Sequence, residues 1–186
     1  MATEGNEILT STTAALLTGL LAAEGLTILH MNGFLTAHML IGLILIPVVA
    51  LKLGSTSYRF ARYYLGNRHY REKGPPMLPL RLLAPLFVLA TVAVFTTGLI
   101  LLLDGHRAGV VLEIHKVSFV VWGILFAPHF LVYLPRVLRS FRRDWTVARR
   151  HAVPGSGLRA TVVALALGSG TALGLLLLPA IEAWQA

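Results

Sequence analysis

Five apolar runs, each long enough to cross a hydrocarbon core, constrain this chain more than any other feature of it. A transmembrane helix needs about 20 mostly apolar residues. Runs of that length lie at roughly Ile8–Leu29, Phe34–Leu53, Leu82–Leu103, Val110–Pro135 and Ala160–Ile181. Hydrocarbon offers no water to the backbone, so each N–H and C=O must be paired inside the segment, and the runs predict helices. The composition agrees, being 56% hydrophobic and only 13% charged, where a soluble domain carries about a quarter charged residues. We expect an all-α transmembrane bundle in one membrane domain over residues 1–186. Four spans form its core, and the fifth is an extra C-terminal helix.

The connections set the topology. His30-Met31-Asn32-Gly33 is a short turn between the first two runs, and Asp104 to Gly109 is another between the third and fourth. Short turns force antiparallel neighbours. The two longer connections, Lys52–Arg81 and Arg136–Arg159, hold fourteen of the sixteen Lys and Arg residues. With five spans both fall on one side, and the positive-inside rule makes that side cytoplasmic. The expected setting is the cell membrane, with the N-terminus inside and the C-terminus outside. The N-terminal stretch MATEGNEIL has neither a basic n-region nor a small-residue cleavage site, so the first run reads as a retained helix. The basic loops face lipid headgroups, and the net charge of +8 requires no nucleic acid.

Cysteine is absent, which excludes disulfides, iron–sulfur clusters and thiolate metal sites. The ionisable residues at membrane depth are then the functional candidates, because such groups are costly there. His38 lies about one turn inside the second span, and His115 about one turn inside the fourth. Both spans run in the same direction, so the two imidazoles sit at matched depth on different helices, as bis-imidazole ligation of a b-type haem requires. Gly42 follows His38 by one turn, leaving room for a porphyrin edge or a close helix approach.

His129 follows His115 by fourteen positions, which is about 21 Å of helix and a return to within about 40° of the same face. No other span supplies a histidine at its depth, and fourteen positions beyond His38 stands Lys52. His129 therefore reads as a structural or quinone-site residue, with ligation of a second haem as the other reading. Pro128 and Pro47 predict kinks whose freed carbonyls His129 could satisfy. Arg107 and Lys116, beside His106, are placed either to meet haem propionates or to snorkel to headgroups. Glu24 and Glu113 either pair with a cation or histidine or handle protons for a quinone.

The motif HMLIG (His38 to Gly42) and the histidine pair of EIHKVSFVVWGILFAPHF resemble the membrane cytochrome b subunits of formate dehydrogenases and nickel–iron hydrogenases. Related actinobacterial membrane proteins of similar length share the pattern. The resemblance covers about residues 8–137 and leaves the fifth span outside. It implies that His38 and His115 are the axial ligands of an outer haem b, and that His129 is one ligand of an inner haem. In that family the inner partner comes from the first helix, where this chain has no histidine. The resemblance also implies one-electron exchange between quinone and an extracytoplasmic partner such as a molybdenum-containing oxidoreductase. The chain would then be an electron-transfer subunit rather than a self-contained enzyme. The alternative, from a different class, is a non-redox scaffold or small carrier. Paired broken helices or repeats of the kind transporters show do not stand out.

Overall fold

The computed structural model describes residues 3–72, 74, 78–105, 109–144 and 153–184. All the secondary structure among them is helical. The elements are α1 (Thr3–Leu29), α2 (Met31–Tyr64), a single turn α3 (Arg68–Arg71), α4 (Leu78–Asp104), α5 (Val110–Asp144), α6 (Ser156–Leu176) and the short α7 (Leu178–Ala183). Five of these helices are long and apolar enough to cross a membrane, and the chain is a multi-pass membrane protein. Apolar side chains such as Leu82, Leu89, Val120 and Ile124 point outward, as a bilayer permits and water does not.

The helices overrun the apolar stretches at several ends. The helix break expected at His30–Gly33 narrows to His30, and the chain turns helical again at Met31 and bends at Phe34 (φ −123°, ψ 19°). Beyond Leu53, α2 continues through the aromatic segment to Tyr64, and α5 runs past Pro135 to Asp144. Pro47, Pro85, Pro128 and Pro135 all lie within helices. The only non-helical backbone inside α2 is at Phe34, not at Pro47.

Two hairpins, α1/α2 and α4/α5, make the core. α1 packs on α2, α2 touches α4, α4 packs on α5, and α5 closes back on α1. Around this ring α2 and α5 are diagonal. Two antiparallel steps separate them, so they run parallel and face each other across the centre. Below, the hairpin end is the one bearing the two short turns, and the basic end is the opposite one.

The fifth span lies outside the ring against α2, and glycine decides how close it comes. A Cβ built on Gly170 would lie 2.8 Å from both the Cα and the carbonyl oxygen of Ile44. Its C-terminal extension locks the hairpin end. The indole N–H of Trp184 donates to the carbonyls of Leu101 (3.1 Å) and Leu102 (3.2 Å) in the last turn of α4, where the Leu101 carbonyl also accepts from the Gly105 N–H at 3.1 Å. Trp184 and Ile181 bury themselves among Leu43, Leu101 and Leu102. At the basic end the buried guanidinium of Arg159 donates to the Pro154 (2.8 Å) and Val153 (3.1 Å) carbonyls. Asn6 there donates to the Ser55 carbonyl (3.2 Å).

The close approach predicts that Gly170→Leu lowers stability by about 1–3 kcal/mol, the usual cost of overpacking. Gly168→Leu, where nothing lies within 4 Å of a Cβ, should leave it nearly unchanged. Thermal unfolding of the detergent-purified protein measures both.

Candidate functional site

Between the hairpins runs an elongated cavity of about 1960 Å³, lined from Ile28, Leu112 and Trp184 at the hairpin end to Glu4, Arg59 and Arg81 at the basic end. A single small-molecule pocket usually measures about 300–1,000 Å³, so this space exceeds what one ligand of that size needs. α5 lines it with a stripe at helical spacing: His115, Phe119, Trp122, Phe126, His129 and Tyr133. From α2 come His38, Gly42, Val49, Lys52 and Thr56. His38 and His115 thus line one space from diagonal helices.

Each histidine is anchored through Nδ1. His38 Nδ1 lies 2.9 Å from the Glu24 carboxylate and 3.3 Å from Thr27 Oγ1. Thr27 spends its own hydrogen on the Glu24 backbone carbonyl at 2.6 Å, so both oxygens near His38 are acceptors. His115 Nδ1 lies 3.0 Å from Thr97 Oγ1. That hydroxyl donates to the Ala93 carbonyl at 2.7 Å and is left to accept from the ring. His129 Nδ1 donates to the Leu125 carbonyl at 3.1 Å. These partners assign the hydrogen to Nδ1 in all three rings. Nε2 then carries the lone pair, the state in which an imidazole binds a metal while its other nitrogen is held in place.

Several groups here have no strong mark in the sequence. Gly98 of α4 is one: a Cβ there would lie 3.1 Å from His115 Cε1, so only glycine leaves the ring where it is. Gly42 lines the cavity as expected, but its nearest neighbour is the Glu24 carboxylate, 3.7 Å from a built Cβ. Thr27 and Thr97, which hold the two rings, look like ordinary helix threonines. The one available signal was position, since Thr97-Gly98 interrupts an apolar run near the depth of His115.

The charged groups sort themselves between their two readings. Glu24 pairs with a histidine, and one of its carboxylate oxygens is buried without a partner. Lys116 lines the mouth of the cavity yet is exposed and pairs with Glu113 at 2.9 Å, a surface pair worth about 0–1 kcal/mol. Arg107 and His106 lie outside the described residues. His129 satisfies the Leu125 carbonyl rather than that of Ile124, the one Pro128 deprives of its donor. Its ring stacks on Phe87, with centroids 5.0 Å apart at 22°. Between the two histidines of α5, Trp122 stacks on Phe126 (4.7 Å, 10°) and donates to Thr91 Oγ1 at 3.1 Å.

Among the described residues no three His, Cys, Asp or Glu side chains converge on one point. The three histidines are single donors on α2 and α5 that line one cavity. Compared with known proteins, the chain matches no family model, no curated sequence and no solved structure.

The Nδ1 anchoring is open to direct measurement. Nitrogen-15 spectra of histidine-labelled protein should show Nδ1–H at His38, His115 and His129. Thr97→Val should weaken that preference at His115 alone, where the Val94 carbonyl is a second acceptor; a Thr97→Val spectrum identical to that of the parent would show that the hydroxyl does not orient the ring.

Proposed function

We propose that the protein is a membrane cytochrome b, with one haem b held between His38 and His115 and used to pass single electrons between a quinone and a redox partner outside the cytoplasm. The observation that carries this reading is the pair of imidazoles on diagonal, parallel helices. They open on one cavity, and each is fixed through Nδ1 with Nε2 left as the donor. The resemblance to the cytochrome b subunits of formate dehydrogenases and nickel–iron hydrogenases points the same way, on the same residues.

The bound haem would supply reversible one-electron chemistry at iron. The chain's part is to hold and tune. Glu24 places a negative charge against the Nδ1–H of one ligand, raising its basicity and stabilising the more positive, oxidised metal. Thr97 gives the other ligand a neutral partner. Gly98 keeps the flank of the His115 ring free of a side chain, and Trp184 packs into the apolar cluster at the hairpin end. Lys116, at the mouth of the cavity, would supply a cation on the side where propionates would emerge. An oxidoreductase subunit docking at the hairpin end is the partner this arrangement serves, with the basic end in the cytoplasm.

A reduced-minus-oxidised spectrum of the purified protein should show a b-type α-band; its absence sinks the reading. His38→Ala and His115→Ala should each abolish the haem held by that pair. Glu24→Ala should weaken haem retention about 10- to 100-fold, as loss of such a supporting partner does. The orientation has its own test, made simple by the lack of cysteine. In intact cells an impermeant thiol reagent should label Glu182→Cys and spare Ser57→Cys; the reverse pattern would turn the protein over.

A further inference from the structure

We propose that the basic-end half of the cavity holds a phospholipid of the cytoplasmic leaflet, with Lys52 taking its phosphodiester and the apolar interior taking an acyl chain. The site uses none of the three histidines that line the cavity, so it does not rest on the cytochrome reading.

Lys52 is the residue that calls for a ligand. It belongs to α2, which continues past it to Tyr64 and carries the exposed aromatic rings of Tyr58, Phe60 and Tyr64, the kind that settle at headgroup level. Lys52 lies about 9 Å inside the start of that aromatic segment and lines the cavity. Its amine donates to the Thr10 carbonyl at 2.9 Å, which uses one of its three N–H groups. Among the described residues no carboxylate pairs with it. Thr10 lines the same cavity, and its hydroxyl is buried without a hydrogen-bond partner among the described residues. A cation at membrane depth is costly unless something answers its charge, and an unmade hydrogen bond beside it adds to the cost. One anionic group with several lone pairs meets both demands.

The order of charges along the cavity selects the ligand. Arg59 follows Lys52 by seven residues, on nearly the same helix face and about 10 Å nearer the rim. Arg81 lies against the Tyr64 ring, 5.0 Å from its centroid. Glu7 and Glu4, which precede Thr10 by three and six residues on α1, line this end too. The rim therefore carries both signs, whereas the deeper Lys52 has no paired acid. A phosphodiester brings a single negative charge to that amine, and the head group beyond it meets guanidinium and carboxylate groups at the rim. Inward of Lys52 the lining turns apolar, with Ala14 and Leu17 from α1, Leu45 and Val49 from α2, and Phe126 and Phe130 from α5. A soluble phosphate gains nothing from that surface, while an acyl chain leaves water by covering it. Mixed charge, then one cation, then an apolar wall is the order of a phospholipid read from head to tail. The volume of about 1960 Å³, against about 300–1,000 Å³ for one small-molecule pocket, leaves room for it beside a ligand at the His38–His115 end.

The test is native mass spectrometry of the full-length protein after thorough washing in a delipidating detergent. One phospholipid per chain is expected to remain on the parent. Lys52→Gln should lower its retention about tenfold or more, the worth of a hydrogen bond to a charged group. Val49→Trp, which fills the path of the chain and leaves the amine in place, should lower it as well. Lys52→Arg should keep most of the lipid, and Arg68→Gln, at an exposed pair with Glu72, should keep all of it. Added lysophospholipid should displace the retained lipid from the parent, and inorganic phosphate at the same concentration should not. That displacement needs no variant, so it decides the matter even where Lys52→Gln fails to fold. Displacement by both would make the occupant a soluble anion and overturn the lipid. Full retention in folded Lys52→Gln, a retained amphiphile that lacks phosphorus, or a parent that retains nothing would each overturn the proposal. A parent that holds the lipid but shows no haem band would leave this site standing and overturn the cytochrome reading alone.

Discussion

The arrangement depends on one constraint: a polar group at membrane depth has only the protein from which to draw its partner. Three imidazoles sit in otherwise apolar surroundings, and each meets that demand at one nitrogen. Glu24 with Thr27, Thr97, and the Leu125 carbonyl each accept from an Nδ1. Once those bonds are made the rings have little freedom, and all three residues line a shared space. Lys52 meets the same demand with its amine, which donates to the Thr10 carbonyl at 2.9 Å.

Packing then has to keep the space open while holding the helices together. The hairpins do this by touching edge to edge around a ring, so that the two helices carrying the candidate ligands never pack on each other. The fifth span contributes from outside. Gly170 lets α6 approach the backbone of α2 near Ile44, between His38 and Lys52 in sequence. Trp184, at the far end of the chain, ties down the last turn of α4, a short distance along that helix from Thr97 and Gly98. A helix outside the four-helix ring therefore braces both walls of the cavity. Its role is mechanical, and it reaches the site through the helices that carry the site.

Much of this was legible before any coordinates. Hydropathy alone located all five spans, because the bilayer requires long uninterrupted apolar runs and leaves few other ways to satisfy their backbone. Spacing placed His38 and His115 at one depth and put His129 on the same stripe, since helical rise and twist are nearly constant. Other features were hidden. Thr27 and Thr97 are unremarkable in sequence because any helix threonine can bond its own backbone; which of them meets a histidine depends on how the hairpins rotate. The same rotation explains why Gly98, rather than Gly42, lies against a ligand ring. The helix ends also differed, with α2 and α5 running well past the apolar core. Polar and aromatic residues at the membrane surface form helix as readily as apolar ones within it.

The sequence by itself therefore determined the class of protein, the number of its spans and the depth of each ionisable residue, because those follow from the bilayer and from the repeat of a single helix. Only the tertiary structure decided which helices are diagonal, which side chains hold the imidazoles, and that one cavity extends from the His38–His115 level to that of Lys52 and His129. Those are relations between helices. They arise from how side chains and glycines interlock across the bundle, which no periodicity within one segment records.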